Sequence, residues 1–360
     1  VNPKALAALL AGTAVVAGPV AATATMAYVT SPGSPSAKAQ VMVANDDGTN
    51  ARAVATGIAA VISPDGARVA YQASSARADF SSAVVDLASG ASVSLGTACT
   101  GPLTWSPDSR WIACQTQSAN RRGFVTGTGL GLVSVPASLV GVTSLTVSDY
   151  IAPRGNAVDI GVAFSPDSSR IAFTWARYPG PMTAGTLFVA PLSNAAARTR
   201  LLPRASGPVW GAPGIAATQS SLARVKLGRS WTRVVHNQVW VMQPDGSGAR
   251  RITRYRARGL TAGPYAVAWA PSGASLIGGI GGQDQSDVAT INIASGAVRV
   301  LRRGALSIPV AVSADGLRIL VARGIDGPPQ SIQVIGVNGV GTRTLVRRAM
   351  QPSVTAGWNG

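Results

Sequence analysis

One phrase, Val162-Ala163-Phe164-Ser165-Pro166-Asp167-Ser168-Ser169-Arg170-Ile171-Ala172-Phe173, limits the fold more than any other feature, because the chain keeps returning to it. It reads as apolar strand, tight turn, apolar strand. Pro166 presets φ for a type I turn, and the Ser165 and Asp167 side chains suit a turn backbone. Val162 and Phe164, then Ile171 and Phe173, alternate at period two, which predicts one buried face per strand. Copies stand at Val61-Ile62-Ser63-Pro64-Asp65-Gly66, Thr104-Trp105-Ser106-Pro107-Asp108-Ser109, Ala268-Trp269-Ala270-Pro271-Ser272-Gly273 and Ala311-Val312-Ser313-Ala314-Asp315-Gly316. A degenerate copy is Trp210-Gly211-Ala212-Pro213-Gly214.

The turns stand at positions 64, 107, 166, 213, 271 and 314, with spacings of 43, 59, 47, 58 and 43 residues. That is the period of four-stranded blades in a β-propeller. Behind the boxes come a third apolar strand and a fourth, more polar one, as in residues 83–87 then 93–95, and 187–189 then 198–202. Residues 239–242 then 250–253, and 332–335 then 343–346, repeat the pattern. Asp47-Gly48, Asp245-Gly246, Ser295-Gly296 and Asn338-Gly339 are hairpin turns.

Residues 26–29, 40–43 and 51–54 supply three strands of a blade that lacks its first. Residues 354–358, with Trp358 in the place of Trp105 and Trp269, supply a first strand without the rest. The expectation is an all-β, seven-bladed β-propeller closed by the C-terminal strand joining the N-terminal blade, which removes two open sheet edges. Six blades follow if the degenerate copy is not one. Segments 117–128, 148–158 and 219–234 read as long insertions between strands.

Charge is the next constraint. The chain of 360 residues has a net charge of +17, no Glu and only three Lys. Residues 1–180 carry 11 Lys+Arg against 9 Asp, and residues 181–360 carry 20 against 5. Such a field attracts anionic partners in a salt-dependent manner. The arginines recur on fourth strands or the links behind them: Arg198, Arg200 and Arg204; Arg250, Arg251, Arg254, Arg256 and Arg258; Arg299, Arg302 and Arg303; Arg343, Arg347 and Arg348. Equivalent positions in a ring lie on one rim, so a basic crescent over half the perimeter is expected.

Arg250, Arg251, Arg254, Arg256, Arg258, Arg302, Arg303, Arg347 and Arg348 are thus the candidate binding residues, with Trp231 from the 219–234 insertion. Guanidinium forks suit carboxylate and phosphate. Edge protection is the competing explanation, since charge on an outer strand blocks edge-to-edge pairing. The two coexist. Aromatics that would stack bases are few, Tyr255 being the one near the densest run, so nucleic acid is not an expected partner.

Residues 1–24 read as a signal peptide or N-terminal anchor, and residues 25–360 as a single propeller domain. Lys4 begins the segment, residues 5–16 are apolar, and Ala22-Thr23-Ala24 fits a small-residue cleavage site. Export leads to an oxidising compartment, where Cys99 and Cys114 are expected to form a disulfide. Folding the hairpin around Pro107-Asp108 sets Cys114 opposite about Gly101. Without export the pair would be two buried thiols.

Two Cys without neighbouring His or acid do not fill a tetrahedral metal shell. The close acidic pairs, Asp46-Asp47 and Asp284 with Asp287, lack the D-x-D-x-D-G calcium pattern, and no metal or cofactor is expected. His236 is the only histidine, and no G-x-S-x-G supports a triad built on it. No catalytic residue is assigned.

The box W/F-S-P-D-G/S-x-x-I-A-F, and the phrase Val239-Trp240-Val241-Met242-Gln243-Pro244-Asp245-Gly246-Ser247-Gly248-Ala249-Arg250-Arg251-Ile252-Thr253, resemble the repeats of TolB-type β-propellers over residues 26–358. The resemblance implies an extracytoplasmic protein (periplasmic, cell-wall associated or secreted) that binds other molecules, often proteins. A protein or an anionic envelope polymer is the expected partner, membrane-surface contact stays open, and a monomer is expected. Similar propellers serve as the non-catalytic part of exported peptidases. An enzyme acting on a glycan or peptide is the alternative.

Overall fold

The computed structural model describes residues 26–30, 38–73, 81–96, 99–100, 102–121, 125–153, 156–177, 185–256, 261–282, 286–304, 307–313, 315–324 and 330–350. The leader at 1–24, the strand at 354–358 with Trp358, Arg258 and the side chain of Arg348 lie outside the described residues.

Seven antiparallel blades follow one another along the chain. The first holds β1 (Met26–Thr30), β2 (Gln40–Ala44) and β3 (Arg52–Thr56). The second runs β4 (Ala59–Ile62), β5 (Arg68–Ala73), β6 (Ser81–Asp86) and β7 (Ser92–Gly96). The third has β8 (Leu103–Trp105), β9 (Trp111–Ala119), β10 (Val125–Ser134) and β11 (Val147–Ile151). In the fourth are β12 (Asn156–Phe164), β13 (Arg170–Arg177), β14 (Thr186–Pro191) and β15 (Thr199–Pro203). The fifth comprises β16 (Ala205–Gly211), β17 (Gly214–Leu227), β18 (Ser230–Met242) and β19 (Arg250–Arg251). The sixth comprises β20 (Thr261–Trp269), β21 (Ser275–Gly282), β22 (Ser286–Asn292) and β23 (Val298–Arg302). The last has β24 (Ser307–Val312), β25 (Arg318–Arg323), β26 (Gln330–Gly336) and β27 (Arg343–Met350).

The two ends of the chain are joined by β27 itself, while residues 354–358, expected as the closing strand, lie outside the described residues. Beyond its pairing with β26, β27 crosses to β1, placing Met350 opposite Val29 and Ala349 opposite Thr30. The end of β27 therefore lies on the side of β1 where the N-terminal blade lacks a first strand. First and last blades become one continuous seven-stranded sheet.

The four box turns that begin with serine are built alike. Ser165 Oγ donates to Asp167 and accepts from the Arg170 N–H, while Asp167 accepts from Ser169 N. Ser63–Asp65, Ser106–Asp108 and Ser313–Asp315 repeat this. The fourth box residue has positive φ: 69° at Gly66, 60° at Ser109, 58° at Ser168 and 70° at Gly316. Where it is serine it also links blades. Ser109 Oγ accepts from Asp65 N of the preceding blade, and Ser168 Oγ from Asp108 N. Where it is glycine the preceding turn comes closer: a Cβ on Gly316 would lie 2.6 Å from Pro271 Cδ.

The expectation of one buried face per strand fails for the second strands. Ile171, Ala172 and Phe173 are all fully buried. The reason is that each blade is covered on both faces by its neighbours. Ile171 and Phe173 pack toward Ala113, Leu130 and Leu132 of the third blade, and Ala172 toward Ile215 and Ala217 of the fifth. The core is a set of apolar layers between blades.

Cys99 and Cys114 form a disulfide within the layer between second and third blades, with Cα atoms 5.5 Å apart. Cys114 pairs with Leu103, not Gly101, because β8 starts at Leu103 and the Thr100 N–H bonds the Gln115 carbonyl beyond it. The presumed insertions are largely strand. Residues 148–158 contain most of β11 and the start of β12, residues 117–128 run from the end of β9 into β10, and 219–234 extends β17 and β18.

Candidate functional site

An antiparallel meander puts the box turns and the turns between third and fourth strands at one end of the disc. The hairpins between second and third strands and the links between blades lie at the other. The arginines proposed as one rim divide between these ends, and the division separates two jobs.

At the box end, arginines that begin fourth strands reach forward to the outer turn of the next blade. Both terminal nitrogens of Arg250 donate to the Ile293 carbonyl at 3.2 Å. Arg299 Nη2 donates to the Asn338 carbonyl at 3.3 Å, and Arg343 Nη2 to the Asp47 carbonyl at 2.9 Å across the ring closure. Arg52 does the same to the Leu87 carbonyl in the first half of the chain. Arg302, the last residue of β23, also reaches forward, to Thr342 Oγ1 at 3.0 Å; burial, and then the neighbouring charge of Arg323, hold its guanidinium below the usual arginine range. Arg250 and Arg302 are therefore occupied in joining blades.

A second tier of blade-joining arginines stands directly after the box. Arg68 lies 5.6 Å from the Trp105 ring centroid, and Arg170 lies 5.2 Å from that of Trp210, each in the next blade. Arg318 forms an ion pair with Asp46 at 3.0 Å. Among the described residues, every ion pair belongs to Arg68 or Arg318.

Toward the link end the situation differs. Arg204, Arg254, Arg256, Arg303 and Arg347 are exposed, and no carboxylate pairs with them among the described residues. Arg251, the last residue of β19, is exposed as well. Residues 185–304 carry fourteen arginines and Lys226 against Asp245, Asp284 and Asp287. Asp245 is turned to its own loop, accepting from Ser247 N at 2.8 Å, and Asp287 accepts from Gly304 N at 2.9 Å.

Trp231 belongs to the longest hairpin. β17 and β18 pair without a break from Ile215–Met242 to Leu227–Ser230, whereas β16 leaves them at Gln219 and β19 touches only Trp240 and Val241. Residues 220–237 thus run on as a two-stranded ribbon, turned at Gly228 (φ 60°) and Arg229. Seven residues of rise give it a reach of about 23 Å. Trp231 is 60% exposed, with Arg224 5.4 Å from its ring centroid.

The remaining candidates resolve into structure. His236 Nε2 donates to the Tyr255 carbonyl at 2.7 Å, beside Gln238, which donates to the same oxygen. It ties the link after β19 to the ribbon root. Asp46 is paired with Arg318, and Asp47 caps Thr49, whose hydrogen bonds lower its carboxyl below the usual range. Among the described residues no three His, Cys, Asp or Glu lie together.

One feature went unforeseen. A groove of about 500 Å³ opens at the outer edge between third and fourth blades, lined by Asp149, Tyr150, Trp175, Asn194 and Arg198 among others. Burial pushes the Tyr150 hydroxyl up to about 12, and it donates to the Pro191 carbonyl. Arg198 lies 4.8 Å from the Trp175 centroid, so one aromatic face is already covered.

No protein-family model matches the chain, and no curated protein sequence does. Solved structures do match. The periplasmic gluconolactonase PpgL of Pseudomonas aeruginosa aligns at 17% identity and TM-score 0.55, covering 92% of this chain and 97% of that one. TolB from Acinetobacter baumannii aligns at 13% identity and TM-score 0.51, covering 91% of this chain and 64% of that one. The acylaminoacyl peptidase of Pyrococcus horikoshii aligns at 13% identity and TM-score 0.56, covering 89% and 52%. This chain thus spans under two thirds of that TolB and about half of that peptidase. At these identities the likeness speaks for fold. By its blade count, its closure and these structural neighbours, the chain has the fold of a seven-bladed β-propeller.

Proposed function

We propose that this propeller is an exported binding or scaffold module for an anionic partner of the cell envelope, held at the link end of the disc. The observation that carries this reading is a set of exposed guanidinium groups with no carboxylate partner among the described residues: Arg204, Arg254, Arg256, Arg303 and Arg347. Edge protection accounts for charge on fourth strands. It does not account for Arg204, Arg254, Arg256 and Arg303, which stand on links with no sheet edge to guard. The disulfide supports an oxidising compartment, and the periplasmic gluconolactonase among the neighbours agrees with an extracytoplasmic setting.

The test is retention on dextran sulfate by the wild type and by an Arg254→Glu, Arg256→Glu, Arg303→Glu triple variant. The reversed protein is expected to elute at lower salt, with affinity reduced about tenfold or more. An unchanged elution would discard the reading. Reversal of Arg250, which is engaged with Ile293, should instead act mainly on stability.

A further inference from the structure

Resting on the anionic-partner reading, we infer that the partner engaged by the β17–β18 ribbon is an anionic lipid surface. The ribbon has two unlike faces. On one, cross-strand pairs bring together Leu222 with Val235, Arg224 with Arg233, and Lys226 with Trp231. All six are exposed, with Leu222 at 67%, Trp231 at 60% and Val235 at 38%. On the other face Val225 is buried, and Ala223, Thr232 and Val234 are half-buried. The ribbon therefore rests on its small apolar side and turns the larger apolar and basic side chains to solvent.

Two features of the solvent face point to a ligand. Arg224 and Arg233 stand directly opposite each other, an arrangement that repels unless an anion lies between or beside them. No acid occurs anywhere from Gly214 to Met242, so the chain itself supplies no counter-charge within the hairpin. The second feature is the apolar content. A soluble polyanion has no use for exposed Leu222, Trp231 and Val235, whereas a bilayer interface takes up indole and aliphatic groups while lysine and arginine stay with the phosphates.

The ribbon also points the right way. Its tip, with Arg229, lies at the link end, the end that carries Arg204, Arg254 and Arg303. A surface approached from that end meets the ribbon and the link arginines together. Attraction to anionic headgroups is worth roughly a factor of five per arginine or lysine near the surface. Insertion of Trp231 and Leu222 then adds binding that salt does not remove.

The experiment is flotation with vesicles of phosphatidylcholine containing phosphatidylglycerol, against pure phosphatidylcholine, using the full chain. Wild type is expected to float with the anionic vesicles and not with the neutral ones. An Arg224→Ser, Arg233→Ser variant should lose about 25-fold in affinity, taking both cations together. A Leu222→Ser, Trp231→Ala variant should lose vesicle binding yet keep its retention on dextran sulfate. These side chains are exposed, and an unchanged thermal midpoint checks that the variants fold. Equal flotation with neutral vesicles, or indifference to either double substitution, overturns the inference. Retention on dextran sulfate without flotation overturns the lipid assignment while the anionic-partner reading stands; loss of both removes both.

Discussion

At the scale of single residues, the box serine does more than its turn propensity suggests. Ser165 is buried and serves both Asp167 and the Arg170 N–H. Replacing it with alanine orphans that N–H, and a loss of about 1–3 kcal/mol is expected in chemical denaturation. The same contact holds the Asp167 carboxyl down at about 2, against 3.8 for a free side chain, with backbone and hydroxyl bonds from Ser169 adding to it. A depressed folded value stabilises the native state above the unfolded value and loses that contribution as pH falls through the folded one. Thermal midpoints should therefore fall between about pH 4 and pH 2, and Asp167→Asn should flatten part of that slope. The effect will be modest, because the carboxylate faces solvent. The sequence showed the box plainly. It did not show that Ser109 and Ser168 at the fourth position bond the preceding blade, since those partners, Asp65 N and Asp108 N, meet them only when the blades pack.

At the scale of elements, the disulfide and the ribbon can be taken separately. Cys99 and Cys114 enclose a separation of 15 residues, for which the chain-entropy treatment gives about 3 kcal/mol. A Cys99→Ser, Cys114→Ser protein should unfold at correspondingly lower denaturant, and an unchanged midpoint would show that the bond adds nothing to the native state. The ribbon should behave in the opposite way. Exchanging residues 222–235 for Asn-Gly keeps the His236–Tyr255 contact and the four-stranded part of the blade, so the thermal midpoint should move by no more than about 5 °C. The pairing of Cys99 with Cys114 was legible because hairpin geometry is local. The ribbon was legible only as an insertion. Along its exposed face apolar and basic residues mix, as in Leu222, Arg224 and Lys226, which erases the alternation that marks a half-buried strand.

At the scale of the whole molecule, seven blades and their closure followed from counting boxes and incomplete blades, because each repeat carries its own turn signal. The division of arginines between two ends did not follow, since partners such as Arg343 and Asp47 meet only when the ring forms. Ending the chain before Ala349 removes its pairing with Val29 and Thr30, and calorimetry should then show a broader, lower transition. A transition as sharp as that of the full chain would mean that the first and last blades hold without it. Arg343→Ala should weaken the same seam more gently, by about 1 kcal/mol.

The direction of the cross-blade bonds has a mechanical consequence. Guanidinium groups of Arg52, Arg250, Arg299 and Arg343 at the perimeter grip the following blade, while the indoles of Trp105 and Trp269 nearer the hub donate to the preceding one, at the Val61 and Val209 carbonyls. A wheel laced in opposite senses at rim and hub resists torsion both ways, since turning one spoke slackens one set and stretches the other. A load applied at the ribbon would accordingly be shared around the circumference instead of prising two neighbours apart.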